Sequence, residues 1–375
     1  MKFEINRDIL SEGLAKVSQV LATSTPLPIL QGILLEVEQD SISLTTSDNT
    51  QSIQHTIPVD GDAVKVFESG KTVLPKTAVK LVKKSKKVLT FTLDNFLTTI
   101  TSGKSVFELN CLDPEEYPKL PQIDDSKANL TLNGKQFADF VKKTAFAAST
   151  SETRPILQGV LVDIQKDCIT LSSTDSHRLG KVTCKWSNQE EIRIVVPAKF
   201  LDKAATKIFE PDSDVELFAH EQMILLRNDQ TVYYTRLLDG NYPDTSRLLP
   251  TEFISVMNID RKEFLDALDL VNEVSKTADN NNEGVVKLHV NGAATISSQQ
   301  AQTGKGQIEI PYSSLEGEDD YDIAFSCKYA IDALKALHCD EVSFRFTGPM
   351  RPFLITPVED TEVEERQLIL PVRTI

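Results

Sequence analysis

A long stretch of the chain occurs twice, and this repeat limits the folds that the sequence can adopt. Residues 28–48 and 155–175 align without a gap at a distance of 127 residues, and 10 of their 21 positions are identical, beginning with Pro-Ile-Leu-Gln-Gly in both. A fainter third copy follows within residues 284–298, at a distance of 125 residues. A repeat of this length is a whole domain. The sequence therefore predicts three similar domains, at residues 1–125, 126–250 and 251–375.

The segments around the repeat predict the same elements in each copy. A strand that contains Pro-Ile-Leu-Gln-Gly lies between two helices, and alternating runs such as Leu-Thr-Phe-Thr-Leu and Val-Glu-Leu-Phe-Ala indicate further strands. Apolar residues recur every three or four positions in the helical segments. Two helices are predicted to begin at prolines, Pro75 and Pro197, which suits a first helical turn. The predicted helices cover residues 7–21, 75–88, 135–149, 197–209, 261–276 and 326–338.

The cysteines and the amino-terminal residues argue for a cytoplasmic protein. The five cysteines, an odd number without a Cys-X-X-Cys spacing, favour reduced thiols over a disulfide framework or a zinc site. No apolar run approaches the roughly 18 residues of a membrane span. The start of the chain, Met-Lys-Phe-Glu-Ile-Asn, has an acidic residue where a signal peptide would be apolar. We expect no metal, no cofactor and no membrane partner.

The charge is distributed unevenly along the chain. The formal net charge is −15, which would ordinarily argue against binding to nucleic acid. The six predicted helices, however, together carry +10, so the remainder carries −25. Residues 75–88 contain six lysines and no acid. A lysine-rich helix is often simply a solvated face, but this segregation also indicates one surface suited to phosphates and another that repels them.

Residues 173–180, Ser-Thr-Asp-Ser-His-Arg-Leu-Gly, form a compact cluster of mixed chemistry. Asp175, Ser176 and His177 suggest a hydrolase, but neighbours in sequence at a strand end do not converge as a triad requires, and no Gly-X-Ser-X-Gly turn is present. No metal pattern or phosphate-binding loop accompanies them. The cluster therefore favours a protein without catalytic residues. A turn held by the side chains of Thr174 and Asp175 remains an alternative for these two residues.

Four segments resemble the bacterial DNA polymerase III beta subunit family, the sliding clamps. They are residues 25–35, 173–180, 237–250 and the terminal Leu-Ile-Leu-Pro-Val-Arg-Thr-Ile from residue 368, and the similarity covers essentially the whole chain. The resemblance implies an α+β DNA clamp fold with three repeated domains, each with two helices packed on antiparallel sheets. It also implies a ring-shaped, head-to-tail homodimer around duplex DNA, a processivity factor that tethers the replicative polymerase and is loaded by an ATP-driven loader.

The resemblance implies two sets of binding residues. A hydrophobic pocket would capture short linear motifs of polymerases, the clamp loader and repair proteins, with His177 and Arg178 bonding polar groups of the peptide. By position, the pocket would comprise Leu157, Thr174, Ser176, His177, Arg178, Leu179, Pro243, Arg247, Leu248, Met350, Pro352, Leu368, Ile369, Leu370, Pro371, Val372 and Arg373. Sequence-independent DNA contacts would come from Lys83, Lys84, Lys87, Lys142, Arg154, Lys199 and Lys203.

The chain departs from the family pattern at two places. Ser24 stands where the family often has arginine, which puts a DNA contact from that loop in doubt, and Ser176 stands where glycine is frequent, which predicts a smaller pocket floor. Phe107, Leu109 and Val274 match positions where family members pack chain against chain, although apolar residues there could equally be core. A protein-binding scaffold unrelated to DNA remains a third hypothesis, beside the clamp and the hydrolase.

Overall fold

The computed structural model describes residues 1–120, 127–188, 190–275, 284–300, 304–359 and 361–373, with the side chains of residues 275 and 300 left aside. The described chain divides into two compact units. The first contains residues 1–138 and 203–237, and the second contains residues 139–202 and 238–375. The predicted domain border near residue 125 and the end of the predicted helix at Lys276 lie outside the described residues.

The described residues form six α-helices and 26 strands. The helices are α1 (Arg7–Val17), α2 (Thr77–Lys84), α3 (Gly134–Thr144), α4 (Ala198–Lys203), α5 (Arg261–Ser275) and α6 (Cys327–Ala336). The strands of the first repeat are β1 (Lys2–Asn6), β2 (Gly32–Val37), β3 (Ser41–Ser47), β4 (Gln51–Pro58), β5 (Val64–Glu68), β6 (Gly70–Pro75), β7 (Val88–Asp94), β8 (Leu97–Ser102) and β9 (Ser105–Asn110).

The second and third repeats contribute the remaining strands in the same order. In the second repeat they are β10 (Leu130–Asn133), β11 (Gly159–Ile164), β12 (Cys168–Thr174), β13 (Arg178–Lys185), β14 (Ile192–Pro197), β15 (Asp214–His220), β16 (Met223–Arg227) and β17 (Thr231–Arg236). In the third they are β18 (Ser255–Asp260), β19 (Val285–Asn291), β20 (Ala294–Gln300), β21 (Gly304–Ile310), β22 (Ser314–Gly317), β23 (Asp320–Ser326), β24 (Glu341–Phe346), β25 (Phe353–Pro357) and β26 (Val363–Ile369).

The first helix of each repeat begins directly after a strand and is capped by the last residue of that strand. The Asn6 Oδ1 accepts from the Asp8 amide (2.8 Å), and the Asn133 Oδ1 accepts from the Lys135 amide (3.0 Å). Asp260 accepts from the Glu263 amide at 2.7 Å. Such side chains satisfy amides that the helix itself leaves without partners. This cap explains why α1, α3 and α5 start where the alternating pattern ends.

The prediction that two helices begin at prolines was wrong. Pro75 and Pro197 are the last residues of β6 and β14, and α2 and α4 begin one or two residues later. Proline ends a strand without cost where its missing N–H faces no ladder partner. Several helices are also shorter than predicted. Helix α1 ends at Val17, α3 continues as a 3₁₀ turn (Ala145–Ala147), and α4 continues as a π-helical turn (Ala204–Ile208).

The prediction that the repeated Pro-Ile-Leu-Gln lies within a strand was wrong. Pro28–Gln31 and Pro155–Gln158 are 3₁₀ turns, and β2 and β11 begin at the glycine that follows. A Cβ on Gly32 would lie 2.4 Å from the Val73 side chain, and one on Gly159 would lie 2.4 Å from that of Val195. Glycine is thus favoured at both positions because a valine side chain of the neighbouring strand occupies the space that a Cβ would need.

Each unit contains one antiparallel sheet that joins two successive repeats. In the first unit the order is β10-β15-β16-β17-β4-β3-β2-β6, and in the second it is β14-β11-β12-β13-β26-β25-β24-β18-β22. The joining pairs are β17 with β4 and β26 with β13. A smaller sheet completes each unit, β5-β1-β7-β8-β9 in the first and β21-β20-β19-β23 in the second. Successive repeats are therefore joined by main-chain hydrogen bonds.

The helices pack on the sheets over apolar cores. In the third repeat α5 and α6 cover a group of buried aromatic rings, with Phe264 and Phe344 4.7 Å apart and Phe325 and Phe353 5.1 Å apart. The five cysteines are free thiols, and three of them are buried. No helix among the described residues is long and apolar enough to cross a membrane.

Candidate peptide-binding site

The turn between β12 and β13 is held by its own side chains. The Asp175 Oδ1 accepts from the backbone amides of His177 (2.9 Å) and Arg178 (3.0 Å). The Thr174 hydroxyl donates to the Arg178 carbonyl at 2.6 Å, and the amide of Ser176 donates to the Thr174 Oγ1 at 3.1 Å. The turn stabilised by Thr174 and Asp175 is therefore present, and it leaves the side chains of Ser176 and His177 exposed.

The backbone of Ser176 explains why glycine suits this position. Its φ angle is +81°, in the left-handed region that favours glycine, and Asn49, 127 residues earlier, has a φ of +77°. The sequence had predicted that serine would make the pocket floor smaller. The Ser176 side chain is exposed, and the smaller pocket floor stays a prediction, while the departure also puts a non-glycine residue in a left-handed conformation.

Arg178 is buried on the helix side of β13. Its Nε donates to Asp175 (2.9 Å), its Nη1 donates to Asp332 (2.7 Å), and its guanidinium carbon lies 4.4 Å from the centre of the Tyr329 ring. Because side chains alternate along a strand, Leu179 points to the opposite face. Arg178 therefore ties the turn to α6, and these contacts leave its Nε and Nη1 committed within the chain.

An apolar strip crosses three neighbouring strands on the other face of this sheet. Leu179 pairs with Leu368, and Leu368 pairs with Leu354, so three leucines stand side by side. They are buried together beneath the half-buried Leu249, Phe253 and Leu370. Sequence reasoning missed Leu249, Phe253 and Leu354, because only the strand pairing reveals that they join Leu179 and Leu368.

The carboxyl-terminal segment continues this strip to the surface. The Leu370 amide donates to the His177 carbonyl at 2.9 Å, and the Val372 amide donates to the Ala324 carbonyl at 2.7 Å. Beside this segment lies a cavity of about 400 Å³, lined by Met350, Pro352, Leu370, Pro371 and Arg373. A second cavity of about 300 Å³ reaches from Leu248 to Pro352.

The predicted pocket residues separate into three groups. Leu157, Leu179 and Leu368 are buried apolar residues, with Leu157 packed against Tyr242, whose hydroxyl accepts from the Thr174 amide at 3.1 Å. Exposed or half-buried members are Ser176, His177, Pro243, Arg247, Leu248, Met350, Pro352, Leu370, Pro371, Val372 and Arg373. In the third group, strand alternation directs Arg178 and Ile369 to the helix side, whereas Thr174 pairs with Leu179 and shares its face. Ile369 is buried in the core of the third repeat, and Thr174 and Arg178 are engaged in the turn.

Asp175, Ser176 and His177 are not arranged as the catalytic triad of a hydrolase. Among the described residues, the hydrogen bonds of the Asp175 carboxylate go to backbone amides and to the Arg178 guanidinium, and none goes to the His177 imidazole. A triad needs that carboxylate to orient the imidazole. In the part of the chain that the structure describes, no three His, Cys, Asp or Glu side chains converge as a metal site.

Most of the predicted DNA-contacting residues are exposed. Lys83, Lys84 and Lys87 lie at the end of α2 and just after it, without an ion pair among the described residues, and Lys142, Arg154 and Lys199 are also exposed. Lys203 differs, because its Nζ donates to the Gln19 carbonyl at 3.0 Å. That lysine is half-buried and holds the segment that follows α1.

Two lysines on the first helices are buried where successive repeats meet. In the first unit the Lys16 Nζ lies 3.0 Å from Glu12 and 3.4 Å from Glu210. In the second unit the Lys143 Nζ lies 2.5 Å from Asp139 and 2.6 Å from Glu365. Burial raises the pKa of the Glu365 carboxyl, and the Lys143 ammonium opposes that shift. The pairs with Glu210 and Glu365 fasten one repeat to the next.

The residues predicted to pack chain against chain lie at the edges of sheets. Phe107 is 39% exposed on β9, the last strand of its sheet, and its neighbour Val106 is 60% exposed. Leu109 on the same strand is half-buried. Val274 lies in the last turn of α5, next to Gly306 on the edge strand β21. Phe107 is therefore not an ordinary core residue.

Comparison with known proteins agrees with this architecture. Models of the DNA polymerase III beta subunit match residues 1–121 (N-terminal domain), 131–244 (central domain) and 246–373 (C-terminal domain). The beta sliding clamp of Bacillus subtilis is 37% identical over 385 residues, covering 100% of both chains. The crystal structure of the beta subunit from DNA polymerase of Streptococcus pyogenes has a TM-score of 0.93 at 31% identity and covers 100% of both chains.

Three repeats with paired helices on antiparallel sheets define the fold as a three-domain clamp. The chain belongs to the DNA polymerase III beta subunit family. It is accordingly a processivity factor of DNA polymerase and not an enzyme.

Proposed function

We propose that the chain forms a head-to-tail homodimeric ring around duplex DNA and captures short linear motifs of the replicative polymerase, the clamp loader and repair proteins. The observation that carries the capture proposal is the strip of Leu179, Leu354 and Leu368, which continues into the cavities beside Met350 and Leu248. We also propose a cytoplasmic location at the replicating nucleoid, and domain borders near residues 125 and 250.

The chemistry of the strip suits a peptide with one or two large apolar side chains. Aliphatic and aromatic walls can bury such an anchor, which supplies most of the binding energy in interfaces of this kind. Leu248 is 49% exposed and Met350 is 54% exposed, so both can close over the anchor. His177 and Arg247 are exposed at the rim and can bond polar groups of the peptide. Arg178 would act indirectly, by holding the turn that carries His177.

Weak electrostatic contacts would hold the DNA. Lys83, Lys84, Lys87, Lys142, Arg154 and Lys199 supply mobile cations to the phosphates, and such contacts carry no sequence information. Lys203 contributes less in this proposal because its ammonium is tied to Gln19. Retention would come from the closed ring, so binding can stay weak enough for sliding.

The edge strands would close the ring. β9 presents Val106 and Phe107 together with an outer edge that pairs with no strand among the described residues, which is a surface that favours pairing with another chain. With Leu109, these residues would meet Val274 and the edge strand β21 of a second copy. A contact that joins different surfaces closes into a ring after two subunits if the rotation permits.

Ring formation is tested by topology. The protein is loaded onto nicked circular DNA with its loader and ATP, washed at high salt, and the circle is then cut. We expect the protein to survive the wash on the circle and to leave after the cut. Equal loss from circular and linear DNA under salt would contradict the ring. A variant with Lys83, Lys84 and Lys87 replaced by Glu should load poorly, whereas no effect would favour a scaffold unrelated to DNA.

The pocket is tested with a fluorescently labelled peptide that carries an apolar linear motif. We expect Leu179→Ser to lower the affinity by at least about tenfold, since it removes a buried anchor contact. The matched control is Leu225→Ser, which changes a buried leucine at the corresponding junction of the first unit. Equal affinity of the two variants would contradict the assignment of the pocket.

A further inference from the structure

The first helices of the three repeats can be compared residue by residue. They begin at Arg7, Gly134 and Arg261, at intervals of 127 residues. Each of these residues donates its backbone N–H to an equivalent carbonyl, at 2.7 to 2.8 Å. The acceptors are Lys87, Ser213 and Asp340. This shared bond aligns the helices and the segment that precedes each acceptor.

In two repeats the first helix contacts the segment before the acceptor of the next repeat. In the first unit Lys16 on α1 reaches Glu210, three residues before Ser213. In the second unit Asp139 on α3 bonds His338 at 3.0 Å, two residues before Asp340. The helix and the following repeat thus meet at the same place both times.

In the third repeat, no following repeat packs against α5 among the described residues. The residue of α5 that corresponds to Lys16 and Lys143 is Leu270, which is 65% exposed. Around it, Asp266 and Asp269 are exposed on the same helix. The position of Asp266 corresponds to those of Glu12 and Asp139. An exposed leucine among acids, at a position that is buried in both other repeats, indicates a surface that is covered in the assembled protein.

In the first repeat, no helix of a preceding repeat packs against the matching segment among the described residues. Three residues before its acceptor Lys87 stands Lys84, and the segment also contains Lys83 and Lys86, all exposed. Val88, the next residue, is 58% exposed. This segment is basic and partly apolar, whereas α5 is acidic and partly apolar.

We propose that α5 of one protomer packs against the lysine-rich end of α2 in a second copy, with Asp266 facing Lys84 and Leu270 against the segment that includes Val88. The proposal rests on the head-to-tail homodimer proposed above. It assigns part of the lysine-rich segment to the subunit contact, while Lys87 and Lys83 remain available to DNA.

The charges also explain why α5 would select the first repeat. In the second repeat the corresponding position is Glu210, which would repel Asp266. Discrimination by like charges is an effective way to exclude a wrong partner surface. The acidic α5 and the basic α2 therefore specify one register of ring closure.

The test exchanges the two charges between differently tagged chains. Asp266→Lys and Lys84→Glu are made separately, and dimer dissociation is measured by sedimentation at low salt. Each variant alone should dissociate on the order of tenfold more readily, because both contacts of its ring bring like charges together. An equimolar mixture should recover the wild-type dissociation constant within about threefold, because both contacts of a mixed ring then pair opposite charges.

Control variants and outcomes separate this inference from the homodimer itself. Lys166→Glu and Asp319→Lys change exposed charges in other turns and should leave dissociation unchanged, alone or mixed. If the Asp266 and Lys84 variants dimerise like the wild type, or if mixing restores nothing, the α5 contact is wrong while the homodimer stands. If the wild type sediments only as a monomer, both are wrong. Unchanged thermal midpoints of the variants establish that they fold.

Discussion

Two regions of the molecule join successive repeats with the same strand order but different side chains. In the first unit Ser52 on β4 pairs with Tyr234 on β17, and in the second Leu179 on β13 pairs with Leu368 on β26. Leu225 and Leu354 occupy matching places beside these pairs. The first junction is filled by the buried rings of Tyr234 and Phe218, whereas the second has an aliphatic strip that continues into open cavities. One architecture thus gives a filled joint and a candidate binding groove.

The buried lysines of the two junctions differ in the exposure of their partners. Glu12 and Glu210, the partners of Lys16, are 63% and 64% exposed, whereas Glu365, a partner of Lys143, is 7% exposed. A solvated carboxylate is stabilised by water when its lysine partner is removed, whereas a buried carboxylate is left without compensation for its charge. The second junction therefore depends on its ion pair more strongly than the first.

Removal of Lys143 should have the largest effect. Lys143→Met leaves Glu365 buried without a cation, and we expect the free energy of unfolding to fall by about 3–5 kcal/mol. The matched variant Lys16→Met should cost within about 1 kcal/mol, because its carboxylates keep their water. Urea denaturation measures both, and equal losses would contradict the difference between the junctions.

Acid should weaken the first junction through His55. Burial, with a smaller contribution from Lys16, lowers the pKa of His55 from 6.5 to about 4. The unfolded chain therefore takes up a proton that the folded chain refuses between these pH values, so stability is lost as pH falls from 6.5 to about 4. The loss attributable to His55 is about 3 kcal/mol.

The variant His55→Val isolates this contribution, since the second unit has Val182 at the equivalent position. We expect the free energy of unfolding of the wild type, minus that of the variant, to fall as pH drops below 6.5 and to stay constant between pH 7 and 8. A difference that is independent of pH throughout would contradict the assignment to His55.

An exchange of side chains between the junctions should close the groove. Leu368→Tyr places in the second junction the residue that fills the first, and we expect the affinity for a labelled motif peptide to fall by about tenfold or more. Tyr234→Leu, the reverse exchange in the first unit, should leave peptide affinity unchanged although it leaves a cavity. Fluorescence anisotropy distinguishes the two. Unaltered binding by Leu368→Tyr would place the groove elsewhere.

The smallest effect concerns the two turns with positive φ. Ser176→Gly should stabilise the protein by about 0.5–1 kcal/mol, because it relieves a left-handed conformation that serine tolerates poorly. Asn49→Gly should gain less, since asparagine adopts this conformation more readily. Thermal midpoints compare the two variants, and an equal gain at both positions would show that backbone strain is not the cause.

Sequence reasoning predicted what local periodicity controls and missed what strand pairing controls. The three repeats follow from the match at a distance of 127 residues, and the two helices of each repeat and most strands follow from local periodicity. These predictions were confirmed, apart from the helix starts at Pro75 and Pro197. The inward direction of Arg178 and Ile369 and the burial of Lys143 depend on which repeat lies against which strand. The glycines that follow the 3₁₀ turns at Pro28 and Pro155 lie against valine side chains of a neighbouring strand. Such contacts join residues far apart in sequence.

The joint between β13 and β26 has a mechanical consequence. Seven residue pairs, from Arg178 with Ile369 to Cys184 with Val363, hold these strands together, and the apolar strip lies at one end of that ladder. A partner held there by a moving polymerase would pull on a pair of strands that belongs to two repeats at once. The load would spread over a nine-stranded sheet instead of falling on a single loop, so the anchorage would be stiff under traction.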